Sequence, residues 1–346
     1  MQTKSYAAQS PTDRLSDFII ERRETGPHDV RIEILYCGVC HTDLHQVRND
    51  WGFSIYPMVP GHEIVGRVTE VGDHVKKFKV GDIAGVGCLI DSCRTCDNCI
   101  IGEEQYCFNG WTATYNSLDM DGKTPTFGGY SKEIVVQEDF TLRVSDKLPL
   151  GHVAPLLCAG ITTYSPLRRF KVGRGQRVGV LGLGGLGHMA VKFAASFGAE
   201  VTMISRTASK EADAKELGAH NFVLSTDETA MKNVANYFDL ILDTVAVAHD
   251  YEMYLALLKP KGTLVCVGIP TDPIKVSTLG VIFYGRIVAG SLIGGLPETQ
   301  EMLDYCADHN ITADVEIINM KDINECYERL IRGDVRYRFV IDMATL

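Results

Sequence analysis

At 346 residues, with 45% hydrophobic and 23% charged residues, the chain is long enough for two domains and too apolar for a disordered or fibrous protein. Its net charge of -10, with no run of Lys and Arg, excludes phosphate backbones and anionic lipid surfaces as partners. The polar opening "MQTKSYAAQSPTDR" and the lack of a long uncharged apolar segment lead us to expect a soluble cytoplasmic protein without membrane contact, whose eleven cysteines stay reduced and cluster as metal ligands.

Between about residues 28 and 145, short β-rich runs ("DVRIEILYCGV", "IVGRVTEVG", "GGYSKEIVVQ") alternate with Gly, Pro and Asp breaks, which predicts an irregular antiparallel domain. Two of its stretches are rich in chemistry: "GVCHTDLH" at 38–45 and "GHE" at 61–63. Next, "CRTCDNCIIGEEQYC" spaces Cys93, Cys96, Cys99 and Cys107 so that one lobe can wrap four thiolates around a tetrahedral zinc. Their neighbours Asp91, Arg94, Asp97 and Asn98 are polar, unlike the surroundings of ordinary buried thiols. Four protein ligands leave no open position, so this ion is structural and catalysis must lie elsewhere. Cys40, "GHE" and Cys158 in "PLLCAG" offer a second set of one or two thiolates, an imidazole and a carboxylate. Each is a weak signal alone, but a Cys₂His set with a free fourth position is a catalytic arrangement.

The texture changes near residue 155. "QRVGVLGLGG" reads as a buried strand, "LGHMAVKFAASFGA" as a helix, "EVTMIS" as a strand and "SKEADAKELGA" as a helix ended by Gly218. The runs "NFVLS", "DLILDTV", "TLVCVGI" and "RIVAGSL" follow as strands separated by helical stretches. This alternation predicts a parallel sheet wound on both faces, a doubly wound α/β domain of the Rossmann type. "GLGGLG", Gly182 to Gly187, falls between strand and helix, the context that gives a dinucleotide fingerprint its force. Gly182 permits the tight turn, Gly184 the approach of the pyrophosphate to the helix N-terminus, and Gly187 close packing of helix on strand. A fold that selects NAD carries an acid about 20 residues beyond these glycines. Here "VTMISRTASK" has Ser205 at that place, with Arg206 and Lys210 beside it, which predicts a 2′-phosphate site and hence NADP(H). The final segment, with a helix "PETQEMLDYCADHN" and a strand "YRFVID", is expected to return to the first domain.

Taken in order, "GVCHTDLH", "YPMVPGHEIVG", the four-cysteine lobe, "GGYSKEIVV", "APLLCAGITTYSPL", "GLGGLGHMAVKFA" and "GDVRYRFVID" resemble the zinc-dependent medium-chain alcohol dehydrogenases, within them the cinnamyl alcohol dehydrogenase-like group. The resemblance spans nearly the whole chain. It implies a GroES-like antiparallel β catalytic domain over 1–158, an NADP-binding Rossmann domain over 159–295, a C-terminal return over 296–346, and an interdomain cleft that closes on cofactor. Cys40, His62 and Cys158 become ligands of a catalytic zinc, giving two Zn²⁺ per chain. Glu63 lies beside the metal, Asp43 orients the zinc-bound histidine, and Arg338 pairs with the glutamate. Thr42 and His45 move the proton, while His41 is only nearby. Further cofactor contacts are implied for Thr162, Gly185, Leu186, Thr244, Val267 and Ser291, and a mostly apolar substrate pocket for Trp51, Leu89, Trp111, Ile269 and Leu292.

The implied activity is hydride transfer between NADP(H) and a primary alcohol or aldehyde, aromatic or medium-chain, in a homodimer joined through coenzyme-domain edge strands. A polyol dehydrogenase of the same family, or a zinc-binding homologue without catalysis, would carry the same fold.

Overall fold

The computed structural model describes residues 1–270 and 273–346 and forms two compact units, Met1–Ile161 with Gly294–Leu346, and Thr162–Ile293. The divisions fall after Ile161 and Ile293, where the sequence reading places breaks after residues 158 and 295.

The first unit opens with an antiparallel hairpin of β1 (Gln2–Ala7) and β2 (Ser16–Glu21). Sequence patterning carries no sign of it, because Thr3 and Ser5 occupy inward positions where an apolar alternation would need hydrophobic side chains. β3 (Asp29–Val39) is the spine of the unit. After it come α1 (His41–Val47), β4 (Ile64–Val71), β5 (Ile83–Val86), β6 (Leu89–Ser92), α2 (Asp97–Ile100), β7 (Trp111–Ala113), β8 (Glu133–Gln137), β9 (Leu142–Arg143) and α3 (Leu150–Val153). On one side β3 pairs with β4, in register Cys37↔Ile64; on the other it pairs first with β8. Val30, Ile32 and Ile34 alternate into the core, as a strand period of two requires. Cys37 is buried where β3 has neighbours on both edges, and Val39, paired with Phe339, is buried beyond it.

α4 (Ala159–Arg169) runs across the division between the units. The second unit contains β10 (Arg177–Leu181), α5 (Gly187–Ser196), β11 (Glu200–Ser205), α6 (Glu211–Glu216), β12 (Asn221–Leu224), α7 (Glu228–Asn233), β13 (Phe238–Asp243), α8 (Tyr251–Leu255), β14 (Leu258–Cys266), α9 (Thr278–Ile282) and β15 (Ile287–Gly290). Every ladder in its sheet is parallel, in the order β12-β11-β10-β13-β14-β15. This is the Rossmann order, in which the sheet reverses direction of growth between its first and fourth strands. The central strands are apolar on both faces, and Ile204, Phe238, Ile241 and Leu264 are fully buried.

The chain then completes the first unit with α10 (Leu296–His309), β16 (Val315–Asn319), α11 (Ile323–Arg332) and β17 (Arg338–Asp342). Asn310 and Gly333, both left-handed, end the two helices. β17 pairs antiparallel with the end of β3, Phe339 opposite Val39, so that Arg338 lies one step beyond, at the Cys40 end. The most distant part of the sequence is thereby brought to the first chemistry-bearing stretch.

Candidate active site and metal centres

The four-cysteine lobe is built between β6 and β7, with α2 carrying its middle. Sulfur separations are 3.9 Å for Cys93–Cys99, 3.5 Å for Cys96–Cys99 and 4.0 Å for Cys96–Cys107. A disulfide needs about 2.05 Å. Zinc–sulfur bonds of about 2.3 Å in a tetrahedron set the sulfurs about 3.8 Å apart, so the donor set fits zinc. Backbone N–H groups of Thr95 and Cys96 pull the Cys93 thiol down to about 5, while burial pushes Cys99 up to about 12. All four ligand positions come from the chain, which leaves this centre no role for a substrate.

Cys40, His62, Glu63 and Cys158 form the second cluster, fully buried, with one ligand atom from each lying within 4.8 Å of the others. Local structure explains the placement. Cys40 is the N-cap of α1, and the Asp43 side chain accepts from its backbone N–H at 2.8 Å. His62 and Glu63 immediately precede β4, and Gly38 N–H donates to the Glu63 carbonyl at 2.9 Å, so the β3–β4 ladder brings 40 and 62 together. Cys158 follows a 3-10 turn, Ala154–Leu157; a Cβ on Gly85 would lie 3.2 Å from Leu157 Cδ1 and one on Gly87 3.0 Å from the Leu157 carbonyl oxygen, both closer than ordinary contact, so these glycines let that turn close in.

Asp43 also accepts from Gly61 N–H at 3.2 Å and faces His62 Nδ1 at 3.3 Å, which leaves Nε2 for a metal. Arg338, only 3% exposed and so not a solvated strand charge, forms an ion pair with Glu63 Oε1. The other oxygen, Glu63 Oε2, is buried without a hydrogen-bond partner. An orphaned carboxylate oxygen beside two thiols and an imidazole suits a zinc ion. Cys40 is already inclined to the thiolate, since a hydrogen bond from Cys158 holds its thiol well below the ordinary value.

Three residues that the sequence reading passes over belong to this centre. Gly38 has no room for a side chain, because its Cβ would overlap the Glu63 carboxylate. Cys88 places a further thiol against Cys158. Asp50 holds His45, Nδ1 to Oδ2 at 2.7 Å, and the His45 ring lies 5.3 Å from that of Trp51. None carries a local sequence signal, as each acts through a neighbour distant in spacing or type. Thr42 lies half-buried on the first turn of α1. Of the expected pocket residues in this unit, Leu89 is buried on β6, and Trp111 pairs with Ser92 across β6 and β7.

In the second unit Gly182 has φ +89°, a conformation suited to glycine. A Cβ on Gly187 would lie 1.9 Å from the Gly182 carbonyl oxygen, whereas one on Gly184 would meet nothing within 4 Å. The loop is thus tight where helix meets strand and open where a pyrophosphate would approach, and the residues fit a dinucleotide. Gly185 and Leu186 continue this turn into α5. Thr244 Oγ1 donates to the carbonyls of Leu181 and Gly182 at 2.8 and 3.1 Å. Val267 N–H donates to Asp243 O at 3.0 Å and Ser291 N–H to Cys266 O at 3.3 Å, at the carboxyl ends of β13 and β14. Thr162 is buried. Ser205 ends β11, 6% exposed, its Oγ accepting from Thr207 N–H at 3.2 Å; Arg206 is exposed, and Lys210 Nζ donates to the Leu183 carbonyl at 2.7 Å. Ile269 and Leu292 are exposed, at 61% and 39%.

The profile of the alcohol dehydrogenase GroES-like domain matches residues 26–146, and that of the zinc-binding dehydrogenase matches residues 185–308. The chain is 53% identical over 343 residues to NADP-dependent alcohol dehydrogenase C 1 of Mycolicibacterium smegmatis, covering 99% of this chain and 98% of that protein. The chain belongs to the zinc-dependent medium-chain alcohol dehydrogenase family. Within that family it is also 52% identical to the aldehyde reductase YahK of Escherichia coli, over 100% of this chain and 99% of that one. A cinnamyl alcohol dehydrogenase of Sorghum bicolor superposes with a TM-score of 0.97 at 47% identity, covering 99% of this chain and 98% of the other. For the Helicobacter pylori enzyme complexed with NADP(H) the TM-score is 0.93 at 44% identity, with 99% of each chain covered.

The two clusters differ in what their loss should do. Elemental analysis should find two zinc ions per chain in the wild type, and one in either Cys96→Ser or Cys40→Ala. Cys96→Ser should also lower Tm by more than ~10 °C, since a closed centre contributes folding energy directly. Cys40→Ala should stay folded and lose turnover. A single zinc in carefully prepared wild type contradicts this assignment.

Proposed function

We propose that the chain transfers a hydride reversibly between NADP(H) and a primary alcohol or aldehyde, favouring aromatic and medium-chain substrates. The buried set of Cys40, His62, Glu63 and Cys158 carries this reading, in a chain whose relatives at 53% and 52% identity are an NADP-dependent alcohol dehydrogenase and an aldehyde reductase. Cys40, His62 and Cys158 would hold the catalytic zinc, which supplies a Lewis acid for the substrate oxygen, and the glycine loop would hold NADP(H), which gives or takes the hydride.

Within this reading Thr42 exchanges a proton with the substrate oxygen through its hydroxyl. His45, one turn further along α1, passes the proton towards solvent by way of the nicotinamide ribose. The contact with Asp50 supports this role: with Nδ1 turned to that carboxylate, Nε2 is the nitrogen left to collect and release the proton. Asp43 fixes the His62 tautomer by taking its Nδ1–H, and Arg338 pairs with the buried Glu63 carboxylate and holds it in place. The family resemblance assigns Trp51, Leu89, Trp111, Ile269 and Leu292 to the substrate pocket, and mostly apolar side chains of this kind reward larger apolar substrates by buried area.

The absence of an acid at the end of β11 supports NADP(H). Ser205 can donate to a 2′-phosphate, Arg206 can bind it through its guanidinium fork, and Lys210 is held nearby by the Leu183 carbonyl. The homodimer reading is supported by β15, an edge strand with one side unpaired among the described residues, and by the exposed side chains of Leu279, Ile282 and Phe283 on and after α9. Eleven free cysteines suit a reducing, cytoplasmic setting.

Assays with NADPH should give at least ~10-fold higher kcat/KM for cinnamaldehyde or benzaldehyde than for acetaldehyde, a difference of about 1.4 kcal/mol that one or two extra buried carbons supply. Equal efficiencies contradict the pocket. Ser205→Asp should raise KM for NADPH by ~10-fold or more and improve use of NADH; unchanged NADPH affinity would move 2′-phosphate recognition elsewhere. Light scattering should report a dimer for wild type and a monomer for Phe283→Glu with Ile287→Lys. A monomeric wild type removes the edge-strand reading.

A further inference from the structure

Three buried tyrosines, Tyr115, Tyr130 and Tyr327, lie close to Asp43. No aligned hydrogen bond reaches any of their hydroxyls. Tyr115 alone among them is stacked on His62, the ring centroids 5.7 Å apart and the planes 9° from parallel. Its neighbour Thr114 anchors it: the backbone N–H donates to Cys88 O at 3.1 Å, and the hydroxyl donates to Gly87 O at 2.5 Å. The imidazole of His62 therefore has one edge on Asp43 and one face on the buried Tyr115 ring.

We propose that Tyr115 is a positioning residue for the catalytic metal: its ring stops His62 from tilting, and its hydroxyl keeps water from the Asp43–His62 contact. The inference rests on the reading in which Cys40, His62 and Cys158 hold the catalytic zinc. A metal-bound imidazole keeps its geometry through the groups behind it, and removing such a group typically costs 10–100-fold in metal affinity. The Asp43–His62 contact is long, at 3.3 Å, so the carboxylate alone leaves the ring angle loosely defined, and a parallel ring against its face restricts the remaining freedom. Keeping water out also strengthens the contact electrostatically, since a low local dielectric screens it less.

The test uses the zinc-loaded enzyme. Zinc release to an excess of a chromogenic chelator is timed for wild type, Tyr115→Phe, Tyr115→Leu and Cys40→Ala, alongside thermal melting and the visible spectrum of the cobalt-substituted proteins. In Tyr115→Leu one of the two ions should leave ~10-fold faster or more, the other at the wild-type rate, with the cobalt bands shifted and a fall in Tm of the size that loss of one buried ring brings. Tyr115→Phe, which keeps the ring, should show a smaller acceleration and wild-type cobalt bands. Wild-type release from Tyr115→Leu overturns the proposal, as does equal acceleration of both ions with a fall in Tm, which marks a packing role only. Equal acceleration in Phe and Leu variants overturns it too, since the ring then has no part. If Cys40→Ala still holds two zinc ions, the site assignment itself falls; if it holds one while Tyr115→Leu behaves as wild type, this inference falls alone.

Discussion

One buried carboxylate, that of Asp43, ties together the segments on which the candidate active site depends. It accepts from the Cys40 backbone N–H, where β3 gives way to α1, and from Gly61 N–H, in the turn before β4. It also faces His62 Nδ1. A fully buried charge is costly unless hydrogen bonds satisfy it, and these donors come from two stretches of chain that must be in place together. The same residue is thus helix cap, loop clamp and orienting group for the histidine. Gly61 at φ +104° and Gly38, with no space beyond its Cα, are the backbone conditions for that arrangement.

The two thiol centres show opposite solutions to holding a metal. The lobe of Cys93, Cys96, Cys99 and Cys107 is local: its ligands lie within one short stretch, its thiols are polarised by backbone N–H groups, and its geometry follows from the hairpin around it. The cluster of Cys40, His62, Glu63 and Cys158 is assembled from three separate segments in the interior, with Arg338 from a fourth. In the buried cluster charge must be matched explicitly. Removing one member of the Glu63–Arg338 pair strands the other charge, which typically costs about 3–5 kcal/mol. A local centre can serve stability with little help, while a buried one assembled from distant segments needs the whole sheet β17-β3-β4 behind it.

The second unit supplies its function through backbone geometry more than through charge. Its turn is shaped by the contact between Gly187 and the Gly182 carbonyl and held from the neighbouring strand by Thr244. The feature proposed to choose between cofactors is a single side chain at the end of β11, where a serine replaces an acid. The fold is shared with many enzymes, so what distinguishes one from another is sought in such side chains and not in the fold itself.

From the sequence alone came everything that depends on spacing along the chain: the four-cysteine lobe, the glycine turn between strand and helix, the parallel order implied by alternating elements, and the missing acid at Ser205. These are short-range signals, and local geometry follows from them directly. The grouping of Cys40, His62 and Cys158 was visible only as leftover ligand types and through family resemblance, since nothing in the spacing of 40, 62 and 158 says they meet. The tertiary structure alone decided that Asp50 holds His45, that Gly38 makes room for Glu63, that Cys88 lies against Cys158 and that Tyr115 covers His62. Each of these is a contact between segments brought together by strand register and core packing. Register is set by burial across the whole sheet, so no window of sequence contains it.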